Sequence, residues 1–156
     1  MIKKIKSALI SVSDKSNLRP LLQILKKNNV KLISSGGTFR QIKKLGFMCL
    51  EVSEFTGSKE ILNGRVKTLH PKIHAGILNK RKNKKHIKEL KKNKFSKIDL
   101  VIVNFYPFEK IIKNTKSHNK IIENIDIGGP TLVRAAAKNY NDVTVVTNIE
   151  QYHELI

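Results

Sequence analysis

Residues able to do chemistry concentrate in four short polar segments of the chain. In Ser11-Val12-Ser13-Asp14-Lys15, two hydroxyls and a lysine stand where an apolar run gives way to a helical pattern. Backbone amides at such a junction point outward and suit phosphate oxygens, although Ser and Asp there also cap helices for structural reasons. Ser34-Ser35-Gly36-Gly37-Thr38 pairs two glycines, which let the backbone approach an anion closely, with hydroxyls on either side. It is neither a Walker loop nor a dinucleotide fingerprint, and an ordinary glycine turn is the plain alternative. In Gly64-Arg65-Val66-Lys67-Thr68-Leu69-His70-Pro71, Arg65 supplies a planar fork for a phosphate and Lys67 a cation for a developing oxyanion. His70 and His74 stand four apart, as metal ligands on a helix would, but Pro71 intervenes and no third ligand is suitably spaced. Structural histidines and no metal are expected. The fourth segment is Asp126-Ile127-Gly128-Gly129-Pro130-Thr131, with Arg134 and Lys138 further along the same helical pattern. A carboxylate just before a helix is stabilised there, whether it reacts or only caps.

All four segments need a scaffold that brings them to one edge. Residues 5–12 read as a strand, 17–28 as a helix with a leucine stripe, and 30–34 as a second strand. Asp14 or Ser16 is placed to cap that first helix. A helical stretch from Phe39 to Leu45 ends at Gly46, and 47–52 reads as a third strand. Residues 54–70 show no clean period, and a loop of that length in a compact domain is commonly functional. Residues 98–104 form a continuous apolar run expected of a buried central strand. Helices at about 107–114, 118–124 and 130–139 follow, then a strand at 143–147 and a last helix from Ile149. Alternating strands and helices predict an α/β, Rossmann-like three-layer fold, with a parallel sheet and helices on both faces. Ligands bind such sheets at the strand C-termini, where the four segments fall.

The chain of 156 residues is expected to form one domain. No apolar run is long enough to span a bilayer, so no membrane partner is expected. One cysteine, Cys49, leaves no internal disulfide and fits a reducing cytoplasm. The formal charge of +19 raises three readings. A nucleic-acid module would place it on phosphate backbones, an enzyme would use a few charges on a small anion, and a codon bias would scatter lysine over the surface. Much of the excess lies between Asn79 and Lys97, including Lys80, Arg81 and Lys82, without aromatics interleaved for base stacking. A solvated helical face is expected there, and no nucleic-acid partner.

Taken in order, SVSDK, SGGT, GRVKTLHP, Asn104-Phe105-Tyr106-Pro107-Phe108 and ENIDIGGPTLVRAAAKN resemble the IMP cyclohydrolase domain of bifunctional AICAR transformylase/IMP cyclohydrolase proteins of purine biosynthesis. The resemblance runs from about Ala8 to Tyr152 and implies a methylglyoxal-synthase-like fold. It implies dehydrative ring closure of formyl-AICAR ribonucleotide (FAICAR) to IMP, a purine nucleotide ligand and no cofactor. By the same resemblance, Lys67 and Tyr106 would polarise the formyl oxygen, and Asp126 and Lys138 would handle the carboxamide proton. Thr68, Asn104, Ile127 and Gly128 would line the base pocket. Ser11, Ser13, Lys15, Ser35, Gly37, Thr38 and Arg65 would form the ribose-phosphate cradle.

The chain departs from the family's pattern where Thr56-Gly57 is followed by Ser58-Lys59 rather than Phe-Pro. The family's transformylase domain is absent from these residues, so a C-terminally truncated cyclohydrolase domain is expected. A homodimer, or association with a separate transformylase domain, is the expected assembly. Two alternatives share the fold class: a methylglyoxal-synthase-like lyase, and a regulatory domain that binds a nucleotide or phosphate without turning it over. The alternative of another class is the basic nucleic-acid-binding module.

Overall fold

The computed structural model describes residues 4–155. Its centre is a parallel sheet of β1 (Ser7–Val12), β2 (Lys31–Ser34), β3 (Leu50–Glu51), β4 (Leu100–Asn104) and β5 (Thr144–Val146), in the order β3-β2-β1-β4-β5. The chain builds outward from β1 to β3, then returns to lay β4 on the other side of β1. That reversal between β1 and β4 opens a crevice at the strand C-termini.

Because side chains alternate along a strand, the sheet buries two apolar layers. Ala8, Ile10 and Val12 face one cluster, completed by Leu18, Leu21, Leu22 and Leu25 of α1 (Leu18–Lys27). Leu9, Val101 and Val103 face the other. That layer is closed by α3 (Val52–Thr56), α4 (Pro71–Leu78) and α8 (Gly128–Lys138). Among the described residues no helix is long and apolar enough to cross a membrane.

Three expectations need correction. The third strand is only Leu50–Glu51, because Val52 turns directly into α3 so that Val52 and Phe55 both reach the core. The 54–70 segment is therefore less irregular than its composition predicts. It holds the end of α3, a 3-10 turn at Leu62–Gly64 and an Ile61–Val66 antiparallel bridge. Neither Asp14 nor Ser16 caps α1: its N-cap is Asn17, and the Asp14 carboxylate accepts from the backbone and hydroxyl of Ser16 instead. Those bonds hold the Asp14 carboxyl below its ordinary range. Within the basic stretch, α5 (Lys84–Lys92) buries only Leu90, in keeping with a solvated face. Arg81 is the exception, drawn in by Asp99 and the carbonyl of Ile98.

Candidate active site at the strand C-termini

A cleft of about 570 Å³ opens where β1, β2 and β4 end. Every site residue singled out from the sequence lines it except Lys138. Lys138 is exposed in the last turn of α8, ten residues beyond Gly128. At about 1.5 Å per residue that is about 15 Å along the helix axis, so Lys138 is not brought to Asp126 within this chain.

One wall is the β1–α1 loop. Asn104, at the end of β4, accepts from the backbone N–H groups of Ser13 (2.6 Å) and Asp14 (2.9 Å) and donates to the Asp14 carbonyl (2.8 Å). Its carboxamide thus clamps the Ser11–Lys15 loop to the neighbouring strand. The floor is α2 (Gly36–Lys44), which starts on the glycine pair rather than at Phe39. Gly36 has φ 53°, a conformation that side chains resist. Helix N-terminal amides lack intrahelical partners, so the Gly36–Thr38 turn aims donors into the cleft. The Thr38 hydroxyl bonds both backbone groups of Val12, at 3.1 and 3.0 Å, fixing that turn against β1. Lys15 lies alongside Gly37 and donates to the Ser13 carbonyl at 2.9 Å.

The facing wall carries Arg65, Lys67 and Thr68. Arg65 pairs with Glu123 of α7 (His118–Glu123), across the mouth of the cleft. Lys67 Nζ lies 3.1 Å from Glu60 Oε2. Beneath them, His70 caps α4 by accepting from the Lys72 N–H at 3.1 Å. His74 packs below the Thr68 carbonyl, and burial holds its imidazole below the ordinary range. Both histidines support the loop, and among the described residues no group of His, Cys, Asp or Glu side chains could hold a metal.

The last wall is the turn into α8. Asp126 Oδ1 accepts from the Gly129 N–H at 2.9 Å, and a Cβ on Gly129 would overlap that carboxylate. A Cβ on Gly128 would come within 2.9 Å of Thr68 Oγ1, so glycine lets this turn close on the facing loop. Tyr106 stands exposed at the rim. The sequence did not single out Glu60 and Glu123, because Glu60 meets Lys67 only through the Ile61–Val66 hairpin and Glu123 meets Arg65 only through tertiary folding. A basic loop of this kind needs anionic partners, which was the one available signal.

The cleft therefore offers a phosphate-sized set of amides, hydroxyls and cations at the β1 and β2 end. A phenol and a carboxylate stand at the β4 and α8 end, and the Lys67 ammonium reaches over Gly64 to the first turn of α2. Residues 17–131 match the family model described as MGS-like domain. The chain is 49% identical over 152 residues to the bifunctional purine biosynthesis protein PurH of Clostridium acetobutylicum, covering 97% of this chain and 30% of that protein. It is 49% identical over 154 residues to the protein of the same name from Magnetococcus marinus, covering 98% of this chain and 29% of that one. The chain thus spans less than a third of the length of these relatives. The crystal structure of ForH superposes with a TM-score of 0.83 at 29% identity, over 96% of this chain and 77% of ForH. By fold and by sequence, the chain belongs to the MGS-like domain family.

Proposed function

We propose that this chain is an IMP cyclohydrolase domain, closing FAICAR to IMP in purine biosynthesis. The observation that carries the reading is that Lys67, Tyr106 and Asp126 line the same cleft as the Gly36–Thr38 turn. Similarity to PurH proteins over nearly the whole chain supports the same substrate class.

In the proposed reaction the carboxamide nitrogen forms a bond to the formyl carbon of the same molecule. The formyl oxygen then leaves as water, with one proton from the carboxamide nitrogen and one from the formamido nitrogen. Both partners belong to one substrate, so holding the reactive rotamer lowers most of the barrier. The α2 N-terminal turn, Ser11, Ser13, Lys15, Ser35 and Arg65 would grip the phosphate and ribose, with Arg65 exchanging Glu123 for phosphate. Lys67 and Tyr106 would donate to the formyl oxygen as negative charge builds on it. Asp126, fixed by the Gly129 amide, would accept the carboxamide proton. Thr68 and the backbone of Ile127 and Gly128 would border the base. Lys138 is left without a chemical role in this reading, and Asn104 acts by holding the cradle loop in place.

The test is conversion of FAICAR to IMP by the purified chain beside Lys67→Ala. Turnover that falls at least about a hundredfold in the variant, with IMP still bound, supports the reading. IMP binding without turnover in the unmutated chain favours a regulatory domain instead.

A further inference from the structure

We propose that Glu60 is a positioning residue that holds the Lys67 ammonium in the cleft, over Gly64 and beside the first turn of α2. The inference rests on the role given to Lys67 above. Its structural basis is a short hairpin whose strands meet at the Ile61–Val66 bridge, with Ile61 N–H to Val66 O at 3.2 Å and Val66 N–H to Ile61 O at 3.4 Å. Glu60 and Lys67 are the next residues outward on the two strands. They face one another as a cross-strand pair, Nζ to Oε2 at 3.1 Å.

Two glycines complete the holder. A Cβ on Gly64 would stand 2.5 Å from Lys67 Cε and 2.9 Å from Nζ, and one on Gly36 would stand 3.3 Å from Nζ. The end of the lysine therefore runs over Gly64 towards the first turn of α2, through space that any larger residue would fill. A lysine side chain has four rotatable bonds and loses substantial entropy when fixed. The slot restricts its path, and the carboxylate sets where the charge stops. Both partners retain solvent contact, with Lys67 31% and Glu60 57% exposed, so the pair adds little to stability. Its consequence lies in geometry: a misplacement of about 1 Å at a reacting group costs up to about a hundredfold in rate.

Glu60→Gln keeps the shape and removes the charge. The expected result on FAICAR is a kcat lower by at least about tenfold, with the Kd for IMP changed less than about threefold. If Glu60 acts through Lys67, the double variant Glu60→Gln/Lys67→Ala is no slower than Lys67→Ala alone. Unchanged or raised kcat in Glu60→Gln, or additive losses in the double variant, overturns the proposal. A second readout does not need turnover. In carbon-13 reductively methylated protein, the Lys67 signal, assigned by its loss in Lys67→Arg, is expected to shift and broaden in Glu60→Gln. An unmoved signal also overturns the proposal. Full turnover in Lys67→Ala sinks the cyclohydrolase reading instead, and the Lys67 signal then decides the Glu60 contact by itself.

Discussion

Arg65 stands at the C-terminal edge of the sheet and Arg81 at its N-terminal edge, and the fold surrounds the two guanidiniums differently. Arg81 is 16% exposed and makes four side-chain hydrogen bonds. It donates to the carbonyls of Gly76 (3.3 Å) and Ile98 (2.7 Å), to Asp99 (3.2 Å) and to Asn79. Its own N–H reaches Asp142 at 2.9 Å, and nearby Asn139 donates to the carbonyls of Ile77 and Asn79. Arg65 is 62% exposed and its fork meets one exposed carboxylate, Glu123. A guanidinium whose two NH2 groups end on backbone carbonyls and part-buried side chains of several segments ties elements together. One held only by an exposed carboxylate keeps a partner that an incoming anion can replace.

Removing the half-buried arginine is expected to cause the largest loss of stability. Arg81→Ala strips Asp99 and two carbonyls of a half-buried donor and is expected to lower unfolding stability by about 3 kcal/mol, read by urea denaturation. A midpoint equal to the unmutated chain would show the two arginines to be equivalent. Arg65→Ala is expected to leave the midpoint in place and to weaken IMP binding at least about tenfold by calorimetry. Unchanged affinity would break the comparison from the other side.

Two glycines sharpen the same contrast between holding the fold and holding a ligand. A methyl group added at Gly46 (φ 84°) would meet nothing within 4 Å, whereas one at Gly64 (φ 86°) would meet Lys67. Alanine strains the backbone at both, by about 1 kcal/mol. Gly64→Ala alone is expected to reduce FAICAR turnover, because only there does the methyl displace the lysine. Equal turnover in the two variants argues against the slot.

The smallest expected effect concerns Tyr152, buried in the 3-10 segment Ile149–Leu155. Burial, helped by the Asp14 carboxylate, raises its phenol above the ordinary value of 10.0, and Asn104 opposes this. Above that pH the unfolded chain releases the proton while the native chain keeps it, so stability declines as pH rises past 10. Tyr152→Phe is expected to flatten that decline in pH-dependent denaturation, and an identical slope would count against it.

Much of the scaffold was legible in local pattern. The leucine stripe of α1, the apolar run of β4 and the glycine stop at Gly46 each depend on neighbours in sequence. β3 was overread, because an apolar run such as residues 47–52 serves a strand or a short core helix equally. That the polar segments share one cleft was legible, because strand-end segments of a parallel sheet meet at one edge. Individual tasks were not. Asn104 clamps a loop, Thr38 bonds Val12, and Lys138 ends the helix that Asp126 precedes. The first two outcomes depend on which atoms meet across 26 or more residues, a separation that no periodicity encodes, and the third follows from helix rise alone.

The most direct measurement is a crystal structure of the chain with IMP bound. The account predicts the phosphate against the Gly36–Thr38 turn, Arg65 moved from Glu123 to the phosphate, and the base between Lys67 and Asp126. A nucleotide bound outside this cleft, or with its phosphate at the Asp126 end, would contradict it.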